Sequence, residues 1–317
     1  MTDHRRGLVV MAYGTPASPD DVAAYYTHIR RGRAPSAEEL ADLTRRYAAI
    51  GGLSPLAERT RDQVAAIAAA LGADEPGRWT VTLGNKHVPP FVEDAVTDLA
   101  AAAVDIVGLV LAPHFSHGSV GEYHERAAAA AAELGLAYVG MDAWHDEPAW
   151  LDAQADRVRA ALGTLPAETK VLFTAHSLPE RVLVDDPYPD QLRASASAIA
   201  ERAALDPWSG WGLAWQSASR TPEPWRGPDV LDVIRDLAAS GRAEGVLVCP
   251  QGFVSDHLEV LYDLDIDARR VATEAGLAFA RTASINDDPA VMAALAERVR
   301  RAVAAVPADT QAGPPTP

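Results

Sequence analysis

Three carboxylates, Glu259, Asp263 and Asp267, follow one another at intervals of four in the segment Gln251-Gly-Phe-Val-Ser-Asp-His-Leu-Glu-Val-Leu-Tyr-Asp-Leu-Asp-Ile-Asp267. On a helix this spacing stacks them along one face over about 12 Å. Like charges so placed repel, and no lysine lies between them to compensate. A cation would relieve the stripe. An oxygen-rich ladder suits hard or borderline divalent cations, and a neutral imidazole joined to one carboxylate suits Fe2+. His176, in Thr174-Ala-His-Ser-Leu-Pro179, could supply that imidazole. The chain is acidic throughout, so the same stripe also reads as the solvated face of an acidic helix.

A second group gathers the opposite charge. His28-Ile-Arg30-Arg31-Gly-Arg33, with Arg45-Arg46-Tyr47 further on, concentrates guanidinium groups in a chain of formal net charge −16. Guanidinium forks pair bidentately with carboxylates and phosphates. The patch therefore reads as a dock for an anionic small ligand, or else as helix-end ion pairs with Glu38 and Glu39. No Walker-type glycine loop accompanies it, which argues against a nucleoside triphosphate. Weaker signals are Trp208, Trp211, Trp215 and Trp225, which read as a packed loop, and His114 with His117, which have no third ligand near them in sequence. Ser177 lacks the Gly-x-Ser-x-Gly elbow of a hydrolase.

These groups need elements to hold them. A chain of 317 residues, 48% hydrophobic and 23% charged, can build a sizeable core and suits two domains or one large α/β unit. Short β-branched runs alternate with Ala-rich helical stretches, the pattern of βαβ units around parallel sheets. Eight strands are expected: Leu8 to Tyr13, Thr80 to Gly84, Ile106 to Pro113, Ala137 to Met141, Lys170 to Ala175, Gly212 to Gln216, Gly245 to Pro250 and Ala278 to Ala283. Tyr13, His87, His114, His176 and Gln251 then fall at or just after strand ends, where parallel sheets collect ligands. Ser255 or Asp256 would cap the helix that carries the ladder. Helices are expected from Trp150 to Leu162, carrying the chain between halves, and from Ala290 to Ala305.

The halves echo each other. Val10-Met-Ala-Tyr13-Gly-Thr-Pro16 can be laid on Phe173-Thr-Ala-His176-Ser-Leu-Pro179, which would put Tyr13 and His176 at equivalent strand ends across an interdomain cleft.

Composition narrows the partners. The acidic balance disfavours nucleic acid. The amino terminus places only about seven apolar or small residues between its charges and Gly14, too few for a signal sequence or a membrane span, and the chain is expected in the cytoplasm. Cys249, the single cysteine, can form no internal disulfide, falls short of the thiolates an iron–sulfur cluster needs, and reads as a buried strand residue. The polar, Pro-rich stretch 307–317 is expected to be a flexible tail.

Taken together, Val10-Met-Ala-Tyr13-Gly-Thr-Pro16, Tyr25-Tyr-Thr-His-Ile-Arg30-Arg-Gly-Arg33, Arg46-Tyr-Ala-Ala-Ile-Gly-Gly-Leu-Ser54-Pro55, Ala112-Pro-His-Phe-Ser116, Thr174-Ala-His176-Ser-Leu-Pro179, Asp186-Pro-Tyr-Pro-Asp-Gln-Leu192 and Gly252-Phe-Val-Ser-Asp-His-Leu-Glu259-Val-Leu-Tyr-Asp263 resemble the ferrochelatase family. The resemblance covers roughly residues 7 to 305 and lies nearest the monomeric Gram-positive and actinobacterial enzymes that metallate coproporphyrin III. It implies two Rossmann-like α/β domains, each with a four-stranded parallel sheet, and a cleft between them. Their expected spans are 1–149 plus 287–306, and 150–286.

The resemblance places His176 and Glu259 at the metal-insertion centre, Tyr13 on the other face of the macrocycle, and Arg30, Arg46, Tyr47, Ser54 and Tyr123 around the tetrapyrrole. It makes Asp263 and Asp267 an outer cation site, where Mg2+ would bind. Fe2+ would be substrate, with no tightly bound cofactor and no iron–sulfur cluster. Partners would be the porphyrin and, transiently, neighbouring haem-pathway enzymes. His176 could either accept a pyrrole proton or hand over the metal, with Glu259 assisting. Rival readings are a protoporphyrin IX ferrochelatase, a cobalt or nickel chelatase for another tetrapyrrole, and a porphyrin or haem carrier.

Overall fold

The computed structural model describes residues 5–304 apart from Ser209 and Arg220. The expected tail lies outside the described residues. All eight expected strands form, in two four-stranded parallel sheets. The first half runs β1 (Arg6–Ala12), α1 (Val22–Ile29), α2 (Ala37–Ala49), α3 (Leu56–Asp74), β2 (Trp79–Asn85), α4 (Val92–Ala100), β3 (Asp105–Val110), α5 (Glu122–Glu133) and β4 (Ala137–Met141). The second runs α6 (Pro148–Leu162), β5 (Thr169–His176), α7 (Tyr188–Arg202), β6 (Trp211–Gln216), α8 (Val230–Ala239), β7 (Gly245–Cys249), α9 (Arg269–Glu274), β8 (Ala278–Arg281) and α10 (Pro289–Ala304).

The sheet orders are β2-β1-β3-β4 and β6-β5-β7-β8. The second repeats the first with every number raised by four, so β1 corresponds to β5. That is the correspondence the Tyr13/His176 echo requires. In each sheet the apolar central strand is covered on both faces: Leu8, Val9, Val10 and Met11 are wholly buried, as are Val171 and Phe173. One apolar cluster runs through both halves, from Val10 and Leu71 through Trp150 and Phe173 to Leu247 and Leu295.

Four strands stop earlier than expected, β1 by one residue, at Ala12 rather than Tyr13. Pro113 and Pro250 have no N–H for a ladder, and β3 and β7 end before them. Strand β8 ends at Arg281, which pairs with Val248. Trp208 is 94% exposed rather than packed, whereas Trp211 and Trp215 lie within β6.

The helix expected to carry the acidic ladder differs more. Helical turns begin at Leu258, and Val260–Ala268 is a π-helix, with hydrogen bonds reaching one residue further than in an α-helix. Neither Ser255 nor Asp256 caps it. Ser255 Oγ donates to Gln63 Oε1 at 3.4 Å, and the Asp256 carboxylate accepts from Ser284 Oγ at 2.8 Å. A second π-helical turn, His117–Gly121, precedes α5. Both wide segments follow the third strand of their sheet.

Candidate active site

The exits of β1 and β5 open into one cleft of about 1590 Å³ lined by both halves. That exceeds the roughly 300–1,000 Å³ of most small-ligand pockets. Tyr13 follows β1 directly, and His176 is the last residue of β5. The turn after Tyr13 depends on Gly14, whose φ is +83° and whose missing Cβ would lie 2.5 Å from Val88 Cγ2.

His176 and Glu259 meet here. His176 Nε2 lies 3.4 Å from Glu259 Oε1, each side chain keeping about a third of its surface open (34% and 35%). The other ring nitrogen, Nδ1, faces the Ser177 carbonyl at 2.5 Å. Burial disfavours a charged ring, but the Glu259 charge and hydrogen bond, the Ser177 carbonyl and the charge of Asp263 outweigh it and raise His176 to about 9. Burial likewise opposes the Glu259 charge, but His176 and then His257 hold this carboxyl well below the ordinary range. The expectation of a neutral imidazole near pH 7 is therefore corrected: the pair rests as imidazolium and carboxylate. Tyr13 stands across the cleft, and burial followed by the Glu259 charge raises its phenol above the ordinary value.

Each carboxylate of the ladder is answered by a cationic group. Glu259 has His176 and, at 3.6 Å, His257. Asp263 receives Arg46 Nη1 at 3.2 Å, and Ser217 Oγ donates to it at 2.5 Å. Asp267 lies 3.6 Å from Arg270 Nη2. His176 at Glu259 and arginines at Asp263 and Asp267 thus relieve the repulsion along the stripe. Among the described residues, no group of three or more His, Cys, Asp or Glu side chains is placed to hold a metal ion. The outer cation site is not preassembled, because guanidinium groups already occupy its carboxylates. Asp263 is 13% exposed, and burial followed by the Glu259 charge raises it to about 6, despite Ser217, Arg46 and His176.

The porphyrin-binding candidates Arg30, Arg46, Tyr47, Ser54 and Tyr123 all line the cleft. Ser36 caps α2 reciprocally with Glu39, and Glu39 Oε1 holds Arg30 Nη1 at 2.6 Å. The ion-pair alternative for the patch is thus realised within the cleft wall itself. Tyr47 hydroxyl and Thr15 Oγ1 are 3.5 Å apart. Lys86, nearly buried, lies 2.9 Å from Glu122 and 5.0 Å from the Tyr123 ring centroid. Arg31 also lines the cleft, has φ +56° at the end of α1, and makes no ion pair among the described residues.

His114 is not poised as a metal ligand with His117. Its Nε2 shares a hydrogen with Ser195 Oγ at 2.8 Å in the buried seam between halves, and the ring is held neutral by burial and by His145. Asp186 ties the same seam, accepting from Ser116 Oγ at 3.0 Å and from the His117 N–H at 2.8 Å. Sequence reasoning missed the roles of His257, Ser217, Lys86 and Arg126, and it quoted Asp186 within a motif without assigning it a partner. His257, two residues before Glu259, was the one with a local signal. The others reach their partners only through the tertiary fold.

Residues 5–303 match the ferrochelatase family. The coproporphyrin III ferrochelatase of Geobacillus kaustophilus is 43% identical over 94% of this chain and 96% of its own length. That of Anoxybacillus flavithermus is 46% identical over 92% and 94%. That of Bacillus subtilis is 42% identical over 93% and 97%. Among solved structures, SirB from Bacillus subtilis with Fe3+ superposes with TM-score 0.56 at 12% identity, covering 95% of this chain and 96% of that one. CbiX, described as the terminal enzyme of sirohaem biosynthesis in denitrifying bacteria, gives 0.53 at 18%, covering 96% and 100%. At these identities the two structures establish the fold alone.

Proposed function

The chain belongs to the ferrochelatase family, and from that premise we propose that its cleft binds coproporphyrin III and that His176 and Glu259 mediate insertion of Fe2+ to give coproheme for haem biosynthesis. The observation that carries the reading is the His176–Glu259 pair at 3.4 Å, opposite Tyr13, in a cleft wide enough for a macrocycle.

Metallation exchanges two pyrrole N–H protons for one Fe2+, which must also shed water. Two donors with an open remainder suit a metal in transit better than a closed four-ligand site, which would retain it. At neutral pH the pair already holds a proton on His176. The ring therefore ligates iron or accepts a pyrrole proton only after releasing that one. Binding energy from the propionates is available to bend the macrocycle and tilt its nitrogens toward the metal. Arg30, Arg31, Arg46, Lys86 and Arg126 all line the cleft. Arg31 makes no ion pair among the described residues, and the other four would exchange Glu39, Asp263, Glu122 and Glu93 for propionates, of which coproporphyrin offers four and protoporphyrin two.

No helix among the described residues is long and apolar enough to cross a membrane. The buried lone thiol of Cys249 suits a reducing compartment, and the enzyme is proposed to work in the cytoplasm as a monomer, with Fe2+ and porphyrin as its ligands, no resident cofactor, and transient contact with its pathway neighbours. Mg2+ would bind the ladder only by displacing Arg46 or Arg270.

Anaerobic incubation with Fe2+ and either coproporphyrin III or protoporphyrin IX, followed by absorbance, tests the reading. Many metalloporphyrins per protein, formed faster from coproporphyrin, are expected. A yield stopping at one per protein would make it a carrier, preference for protoporphyrin would move the substrate, and turnover only with cobalt or nickel would move the metal.

A further inference from the structure

Arg281 closes β8 and does not itself line the cleft, yet it holds both Asp256 and Asp265, which flank Glu259 in sequence. Its Nε and Nη2 reach Asp265 Oδ1 and Oδ2 at 2.8 and 2.9 Å, a bidentate fork onto the middle of the π-helix. Its Nη1 lies 3.2 Å from Asp256 Oδ1 and donates to the Thr282 carbonyl at 3.0 Å. The side chain is 12% exposed, so these pairs are little screened by solvent. Asp256 is fixed in turn: its carboxylate accepts from Ser284 Oγ at 2.8 Å and Asn286 Nδ2 at 3.2 Å, and its N–H donates to Asn286 Oδ1 at 3.1 Å. Glu259 lies three residues after one clamped carboxylate and six before the other.

A π-helix is the less favourable form of the helix, normally limited to a single turn. Tightening it to α-helical bonding would turn every following residue by about 100° and advance it by about 1.5 Å. Asp265 cannot make that move while the Arg281 fork holds it, and Asp256 cannot yield from the other side. The wide turn between them then takes up the extra residue, and Glu259 and Asp263 face His176 and Arg46.

We propose that Arg281 is a positioning residue for iron insertion, its guanidinium bridging Asp256 and Asp265 and so fixing the π-helical register that aims Glu259 at His176. Resting on the iron-insertion reading, this assigns the end of β8 to the metal side of the reaction and leaves the porphyrin side untouched.

The test uses Arg281→Lys, which keeps the charge and loses the fork, and Asp265→Asn, which weakens the same fork from the other partner. Because the substitutions act on opposite partners, a folding failure in one leaves the other decisive. Each is expected to lower kcat, or raise KM for Fe2+, by on the order of tenfold to a hundredfold, as loss of an orienting partner behind a metal-handling group does. Coproporphyrin affinity, read by fluorescence quenching, should stay within about twofold of wild type, since the wall carrying Arg30, Tyr47 and Ser54 is unchanged. Amides of residues 257–268 should exchange with deuterium faster in both variants, with the rest of the protein unaffected. Lowered melting temperature with intact kcat, KM for Fe2+ and local exchange would overturn the proposal, as would equal loss of porphyrin and iron binding. If the wild-type protein inserts no iron, the functional reading fails, while the exchange measurement still decides whether Arg281 holds the register.

Discussion

Protonation of His176 sets what the site does at each pH. The ring is raised to about 9 through Glu259, so it is charged across the neutral range and becomes free to ligate or accept a proton only as pH climbs. Iron insertion at saturating porphyrin should therefore rise in kcat/KM for Fe2+ from pH 7 toward about 9; a flat or falling limb would exclude the neutral ring as the working form. The linkage has the same origin. A histidine raised in the folded state adds stability below its ordinary value of 6.5 and loses it as pH rises through about 9. In Glu259→Gln the largest attraction is gone and only the Ser177 carbonyl and Asp263 oppose burial, so the ring should titrate lower than in wild type, as read by NMR of labelled histidine. His176→Ala should abolish turnover while coproporphyrin still binds, and near-normal insertion would remove His176 from the mechanism. Asp263 has the opposite sign. A buried carboxyl raised from 3.8 to about 6 costs the folded protein stability once ionised, on the order of 3 kcal/mol above pH 6 and nothing near pH 3.8. Asp263→Asn should accordingly unfold at higher denaturant concentration than wild type at pH 7.5 and at the same concentration near pH 4. His176 and Glu259 were legible because a histidine after a β-run and an acid on a helical stripe carry local signals. Their charge states were not, since these depend on a meeting of residues 83 positions apart, 176 and 259.

Strand exits are the elements that aim these groups. Gly252 follows β7, and a Cβ there would lie 2.5 Å from Ala175 Cβ and 2.7 Å from Ala175 Cα, one residue before His176. Backbone cannot give way as a side-chain tip can. Gly252→Ala should cost more than about 1 kcal/mol of stability, as overpacked sites do, and depress iron insertion, measured by urea unfolding alongside turnover. Ser36→Ala is gentler: loss of the α2 cap should cost about 1 kcal/mol and, by loosening Glu39 against Arg30, weaken coproporphyrin binding. All eight strands were legible because alternation of apolar runs with helical stretches is local information. The π-helix was not. Residues at intervals of four look the same whether the turn is α-helical or wider, and what selects the wider form is Arg281 and Asp256, reached only when β8 and the β7 exit come together.

Over the whole molecule, the apolar cluster that joins Val10, Trp150, Phe173 and Leu295 leaves no plane along which the halves separate cheaply. Denaturant unfolding followed by tryptophan fluorescence and by far-UV circular dichroism should coincide in one transition, and two resolved transitions would show that each half keeps its own core. The cleft between the halves was foreseen from the echo of two strand exits, but its cations were foreseen only in part. Lys86 and Arg126 reach the wall through folding alone. The resting pair at its floor also determines what solution chemistry would register when iron arrives. An imidazolium cannot ligate a metal without shedding its hydrogen, so adding Fe2+ to the porphyrin-free protein in weakly buffered medium at pH 7 should release close to one equivalent of acid if His176 receives the metal, and none if the ring serves only as a later acceptor. A glass electrode thus distinguishes the two roles before any macrocycle is present.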